Sequence, residues 1–158
     1  MMRVGFGNDI HRLEAGRKLI LGGVVVSEEV GAVGHSDADA LCHAVTDAIL
    51  GALALGDIGS HFPDSDARWS GADSMTFLRE AIRLAGEKGY KVSNVDCTID
   101  LERPKLRPFI TQMRERLAEV MGCDIECVSV KAKTGEGMDA VGKGDAVRAE
   151  AVVLMVSA

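Results

Sequence analysis

The strictest pattern in this chain is an alternation. In NVDCTIDL, residues 94–101, Val95, Cys97, Ile99 and Leu101 fall on one side of an extended backbone, and Asn94, Asp96, Thr98 and Asp100 fall on the other. A strand with one apolar and one polar face needs a cover on a single side, so the segment commits the fold to a sheet with one buried face. Three segments with helical period can supply that cover. In SDADALCHAVTDAILGALALG, residues 36–56, Ser36 is placed as an N-cap, Asp39 completes a capping box and Gly56 sits at the C-terminal cap. ADSMTFLREAIRLAGEKG sets Phe77, Leu78, Ile82 and Ala85 on one stripe and closes at Gly89. Pro108 occupies a first helical position, and Ile110, Met113, Leu117 and Val120 recur at helical spacing before Gly122.

The remaining strands are MMRVGFG at the start, KLILGGVVV at residues 18–26, CVSVKAK and AVRAEAVVLMV. In KLILGGVVV, read as one strand, Gly22 and Gly23 mark a bulge or a close backbone approach. The order β-β-α-α-β-α-β-β lacks the regular alternation of a doubly wound sheet. It predicts an α+β domain, a mixed sheet of about four to five strands with three helices gathered on one face. At 158 residues, one domain spanning 1–158 is long enough to bury its own core.

The formal net charge of -6 argues against a basic nucleic-acid face, and no apolar run approaches a membrane span, so small molecules and protein partners remain. Cys42, Cys97, Cys123 and Cys127 form no C-x-x-C pair and read as reduced core residues. The opening segment has no basic region leading into an apolar one, which places the expected compartment in the cytoplasm.

GFGNDIHRL, residues 5–13, sets Asp9 and His11 two positions apart. If the first strand continues through them, its period turns both to one side, where they could grip one ion. An exposed turn is the other reading, because Gly, Asn and Asp are turn formers. His43 is the candidate third ligand. It stands four residues after Asp39 and four before Asp47 on one helical stripe, a position where carboxylates can orient it; an interior histidine beside a capping Asp39 is the alternative. Asp9, His11 and His43 together would make a nitrogen and oxygen set that suits zinc, with a fourth tetrahedral position left open, as in a Lewis-acid site rather than a structural one.

Two further segments carry chemistry. GDIGSHFPDSD packs Asp57, Asp64 and Asp66 with Gly59 and Pro63 into a loop that could hold hydroxyl groups or simply be solvated. KAKTGEGMDAVGKGD sets Lys131, Lys133, Thr134 and Lys143 among four glycines, a composition that lets backbone N–H and ammonium groups approach phosphate, and Glu136 there could hold a second, harder cation.

GNDIHRL, GHSDADALCHAVTDAILGALALGDIGSHFPD, RPKLRP and KAKTGEG, in this order and spacing, resemble the 2-C-methyl-D-erythritol 2,4-cyclodiphosphate synthase family over nearly the whole chain. The resemblance implies a homotrimer with its sheets toward the three-fold axis and active sites between subunits. It implies zinc on Asp9, His11 and His43, and magnesium or manganese bridging the substrate diphosphate through Glu136. The small-molecule cytidine diphosphate substrate, 4-diphosphocytidyl-2-C-methyl-D-erythritol 2-phosphate, would cyclise with release of CMP. By the same resemblance His35 and Thr134 would take catalytic positions on phosphate oxygens with Ser36. The resemblance also implies that Asp57, Ile58, Gly59 and Asp64 would face the methylerythritol, with Phe62 and Asp66 beside them and Ile10 beside the metal ligands. Leu101, Pro104, Lys105, Leu106 and Arg107, with Lys133 and Gly135, would by the same resemblance lie toward the cytidine monophosphate.

This chain also departs from the family pattern. Members often read T-T-x-E where it has Lys133, Thr134, Gly135 and Glu136, and they often carry an aromatic and an arginine where it has Ala140 and Lys143. Lysine does not replace arginine at a phosphate fork, so an isoprenoid diphosphate near the trimer axis, as some relatives hold, would meet different chemistry here. Two other functions suit the same residues: a zinc-dependent phosphohydrolase using metal-bound water, and a trimeric binding module without turnover.

Overall fold

In the computed structural model, which describes residues 1–158, the alternating segment lies within strand β5 (Tyr90–Asp100). Val95, Cys97 and Ile99, with Leu101 just beyond the strand, are buried, and Asn94 and Asp96 are exposed. β5 pairs antiparallel with the C-terminal strand β7 (Ala146–Ser157) and parallel with β6 (Val128–Lys133). β7 pairs in turn with the long β1 (Met2–Ala15), whose far end meets β4 (Val30–Ala32). The result is a five-stranded mixed sheet in the order β4-β1-β7-β5-β6.

Three long helices cover it. α1 (Ala40–Ala52) packs on β1 and β7, α3 (Ser74–Glu87) on α1 and α4, and α4 (Ile110–Met121) on β6. Their apolar stripes and the buried sides of the strands merge into one cluster of 36 residues, so the sheet's periodicity and the helices' periodicity meet in a single core. Two shorter helices, α2 (Ile58–His61) and α5 (Asp139–Gly142), sit in the loops after α1 and β6. No helix is long and apolar enough to cross a membrane.

The seating of α1 on β1 depends on two missing side chains. A Cβ at Gly5 would lie 1.8 Å from the carbonyl oxygen of Ala48, and one at Gly7 would lie 2.0 Å from that of Ala44. Helix backbone therefore rests directly on strand backbone. The opposite face of the sheet stays uncovered and apolar: Val4, Phe6, Ile10 and Val152 are between 46% and 67% exposed.

Two local readings are corrected. Residues 18–26 form two strands, β2 (Leu19–Leu21) and β3 (Val24–Ser27), paired antiparallel across Gly22 and Gly23. Both glycines have positive φ, 59° and 73°, the backbone that a tight two-residue hairpin requires and a continuous strand does not. Helix α1 is capped by Asp39, whose carboxylate accepts the Cys42 N–H, and it ends at Leu53 rather than Gly56. The Ser36 hydroxyl is turned away, toward the Ala38 N–H and His43.

Candidate metal centre

Because β1 runs unbroken through residues 9 and 11, its period turns Asp9 and His11 to the side where α1 lies, and the close seating of the helix lowers His43 over them. Asp9 Oδ2 is 2.7 Å from His11 Nε2 and 3.0 Å from His43 Nδ1, and the two ring nitrogens are 3.4 Å apart. The three ligand atoms all lie within 4.8 Å of one another on partly buried side chains. Burial works against the charge of Asp9, but hydrogen bonds from His11 and His43 outweigh it and hold the carboxyl below its usual range. Burial likewise works against a charged His11, and the Asp9 carboxylate and the Val33 carbonyl outweigh it and raise the imidazole. The Val33 carbonyl, 3.0 Å from His11 Nδ1, can only accept, so Nδ1 carries a hydrogen: in the charged ring Nε2 also donates to Asp9, and in the neutral ring Nε2 is the atom with the lone pair. One carboxylate oxygen and two imidazole nitrogens facing one point fit a divalent cation of the zinc type.

These atoms open on a cavity of about 520 Å³. Its walls include His35, Ser36, Ile58, Gly59, Phe62 and Asp64, all site candidates in the sequence, and also Trp69, which was not noted there, and Phe77, which reads there only as part of a helical stripe. Phe62 stacks on Phe77 at 4.4 Å between centroids, and Trp69 meets Phe62 edge-on at 5.1 Å, giving the cavity an aromatic wall. His35 Nε2 is 3.1 Å from the Asp66 carbonyl oxygen.

Asp57 and Asp66 are close in sequence to this wall but do not line the cavity. The Asp57 carboxylate caps α2 through the Ser60 N–H at 2.9 Å, and that of Asp66 forks onto Arg68 at 2.6 and 2.9 Å. The carboxylates flanking His43 on its helical stripe do not orient it. Asp39 is buried and accepts the N–H groups of Gly22, Gly23 and Cys42, and Asp47 accepts the Ile58 N–H at 2.7 Å. Unpaired backbone donors nearby bind these carboxylates instead. Ser74 and Ser36 hold the outer nitrogen of His43, with Ser74 at 2.7 Å. Ser74 lies 31 positions away and reads in the sequence only as the start of a helix, so no local signal connects it to His43.

The second group of candidates assembles elsewhere. The parallel pairing of β5 and β6 brings the segments that follow them together: Leu101 N–H donates to the Lys133 carbonyl, and Gly135 N–H to the Glu102 carboxylate, each at 2.8 Å. Leu101 and Leu106 turn into the core, leaving Lys105, Arg107, Lys133, Thr134 and Glu136 exposed and Pro104 half-buried. Glu136 has φ of 53°, the left-handed region that side chains rarely occupy. None of these residues lines the cavity at Asp9. Ile10 points away from Asp9 and shares a separate hollow with Ala140, and Lys143 ends α5. Within one chain the candidate site therefore exists as two separate parts.

The YgbB family model matches residues 2–156. A 2-C-methyl-D-erythritol 2,4-cyclodiphosphate synthase of Solibacter usitatus is 58% identical over 154 residues, covering 98% of this chain and 97% of that protein. Among solved structures, a 2C-methyl-D-erythritol-2,4-cyclodiphosphate synthase in its CDP-bound form superposes with a TM-score of 0.90 at 45% identity, covering 98% of this chain and all of that one. The bifunctional IspDF of Campylobacter jejuni superposes with a TM-score of 0.96 at 34% identity over the whole of this chain, which spans 43% of that longer protein.

Proposed function

The chain belongs to the YgbB family, and on that premise we propose that it converts 4-diphosphocytidyl-2-C-methyl-D-erythritol 2-phosphate into 2-C-methyl-D-erythritol 2,4-cyclodiphosphate and CMP, in isoprenoid precursor synthesis. The observation that carries this reading is the Asp9, His11 and His43 set opening on a cavity. In the reaction the substrate's own 2-phosphate attacks the β-phosphorus and CMP departs opposite. Such an in-line displacement asks the protein for alignment and charge neutralisation more than for covalent chemistry.

Asp9, His11 and His43 would hold zinc and Glu136 a magnesium or manganese ion on the diphosphate, and bound cations there supply positive charge to phosphate oxygens. His35 and Ser36, on the wall beside the ligands, contact the phosphates from the protein side. Asp64 and the backbone at Ile58 and Gly59 receive the methylerythritol, and Phe62 with its aromatic neighbours excludes water that would compete with the internal nucleophile. Leu101 to Arg107 and Lys133 to Gly135 form the cytidine monophosphate side, with Thr134 on the phosphate.

The two separate parts, together with the uncovered apolar face, support a homotrimer with its sheets toward the three-fold axis. That arrangement buries Val4, Phe6 and Val152 and carries the Thr134–Glu136 loop of one subunit to the cavity of the next. Phosphorus NMR of the reaction tests the proposal. The expected products are a cyclic diphosphate and one CMP per turnover. A linear 2,4-bisphosphate beside CMP, or inorganic phosphate cut from the 2-position, would instead identify water as the nucleophile, and tight CDP binding without turnover would identify a binding module.

A further inference from the structure

The ring nitrogen of His43 that faces away from Asp9 meets two hydroxyls: Nε2 lies 2.7 Å from Ser74 Oγ and 3.2 Å from Ser36 Oγ. Each hydroxyl has one hydrogen, and its neighbours decide where that hydrogen points. Ser74, fully buried at the first position of α3, donates its hydroxyl to Asp37 Oδ1 and its backbone N–H to Asp37 Oδ2, the latter at 3.0 Å. A carboxylate only accepts. With its hydrogen engaged on Asp37, the Ser74 oxygen offers His43 nothing but lone pairs. In the neutral ring Nε2 must then carry the hydrogen, and Nδ1, 3.0 Å from Asp9 Oδ2, keeps the lone pair that a metal needs.

We propose that Asp37 and Ser74 form a relay that selects the Nε2–H form of His43 and thereby makes Nδ1 a metal ligand. Both are positioning residues, and the inference rests on the metal-site reading given above. The selection acts against two competitors, the Asp9 carboxylate, which accepts from an Nδ1–H, and Ser36. Ser36 Oγ accepts the Ala38 N–H at 3.3 Å and keeps its own hydrogen free to donate to a bare Nε2. That contact favours the opposite tautomer, in which Nδ1–H donates to Asp9 and the ligand atom is blocked. Ser74 is the nearer of the two hydroxyls and its hydrogen is held by Asp37, so it opposes both contacts. In its neutral form His11 reaches the same state by a different route, through the Val33 carbonyl, so both neutral rings turn a lone pair toward the same point.

The variant Ser74→Ala removes only the hydroxyl, because Asp37 keeps its bonds from the backbone N–H groups of Ser74 and Asp39. Nitrogen-15 NMR of the metal-free protein, at a pH where the rings are neutral, reads the tautomer directly. His43 should carry its hydrogen on Nε2 in the parent protein, and Ser74→Ala should shift it toward Nδ1. Zinc affinity, measured by competition with a chelating dye, should fall on the order of 10- to 100-fold. Ser74→Thr, which restores a hydroxyl, should recover both readouts. A parent protein that binds zinc yet shows Nδ1–H overturns the relay, as does a Ser74→Ala protein with unchanged tautomer and affinity. If Ser74→Ala does not fold, the parent spectrum alone decides. A parent protein that binds no zinc in either tautomer overturns the metal-site reading itself.

Discussion

Replacing Gly7 with alanine should damage the metal centre without touching a ligand. The new methyl would lie 2.0 Å from the Ala44 carbonyl oxygen and 2.8 Å from the Ala48 nitrogen. Both are helix backbone, so no side-chain rotation relieves the contact. Real Cβ atoms essentially never approach closer than 3.0 Å, so α1 must retreat by at least about 1 Å. β1 is paired with β7 from Met2 to Arg12 and anchored to β4 at Leu13–Ala15, which leaves the helix as the part freer to move. Overpacking of this kind costs about 1–3 kcal/mol, and the backbone contact argues for the upper end. For a domain of this size a loss of about 3 kcal/mol lowers the melting temperature by about 6–12 °C.

The same retreat acts on the site. His43 adjoins Ala44 on α1, so the 3.0 Å spacing between its Nδ1 and Asp9 Oδ2 widens with the helix. Zinc bonds of about 2.0–2.2 Å to nitrogen and oxygen tolerate only about 0.2 Å, so the ligand set comes apart. Activity should fall on the order of 100-fold, as misplacement by about 1 Å commonly produces. Calorimetry, zinc per chain by elemental analysis and turnover measure the three effects. Gly51→Ala is the control in the same helix: its Cβ would meet only the Phe6 carbonyl oxygen at 3.9 Å, an ordinary contact. It should keep zinc and gain up to about 1 kcal/mol from the better helix former. A Gly7→Ala protein that melts with the parent and holds a full complement of zinc would refute the close-approach argument, as would equal damage from Gly51→Ala.

Other perturbations separate the remaining parts. Asp39→Ala strands the N–H groups of Gly22, Gly23 and Cys42, and should cost at least about 3 kcal/mol in urea unfolding. In the metal-free protein Asp9 is held below its ordinary value of 3.8, so its contribution is present above that pH and lost as pH falls through the depressed native value. His11 is raised above 6.5, so its contribution is present below that pH and lost as pH rises through the raised native value. Melting temperature against pH should therefore show the pair at full strength between about pH 4 and 6.5, and Asp9→Asn should flatten both limbs. Glu136→Gln should retain zinc on elemental analysis while weakening the rate response to added magnesium, and an unchanged titration would remove Glu136 from the mechanism. Mixing His43→Ala with Glu136→Ala after reversible dissociation should restore part of the activity; no recovery after demonstrated subunit exchange would place both halves of the site in one subunit.

The features readable in the sequence are those set by backbone period. Alternation at Val95, Cys97 and Ile99 required a sheet buried on one face, and the stripes through Phe77 and Leu78 and through Met113 and Leu117 required helices to bury it. The same period placed Asp9 and His11 on one side of β1, because two residues apart on a strand is a statement about geometry that no distant contact can change. Which polar groups pair was not legible. Residues 36–39 contain three side chains able to cap α1, and Asp39 does so because the Gly22–Gly23 turn adds two further donors to it, leaving Ser36 free for His43. Asp47 sits one turn from His43 yet binds the Ile58 N–H, and His43 is held by Ser74 from another helix. Periodicity is a property of each segment alone. Hydrogen-bond partners are chosen by competition among every donor and acceptor that packing brings within reach, and the close contact at Gly5 and Gly7 that sets this reach for α1 exists only once helix and strand are docked.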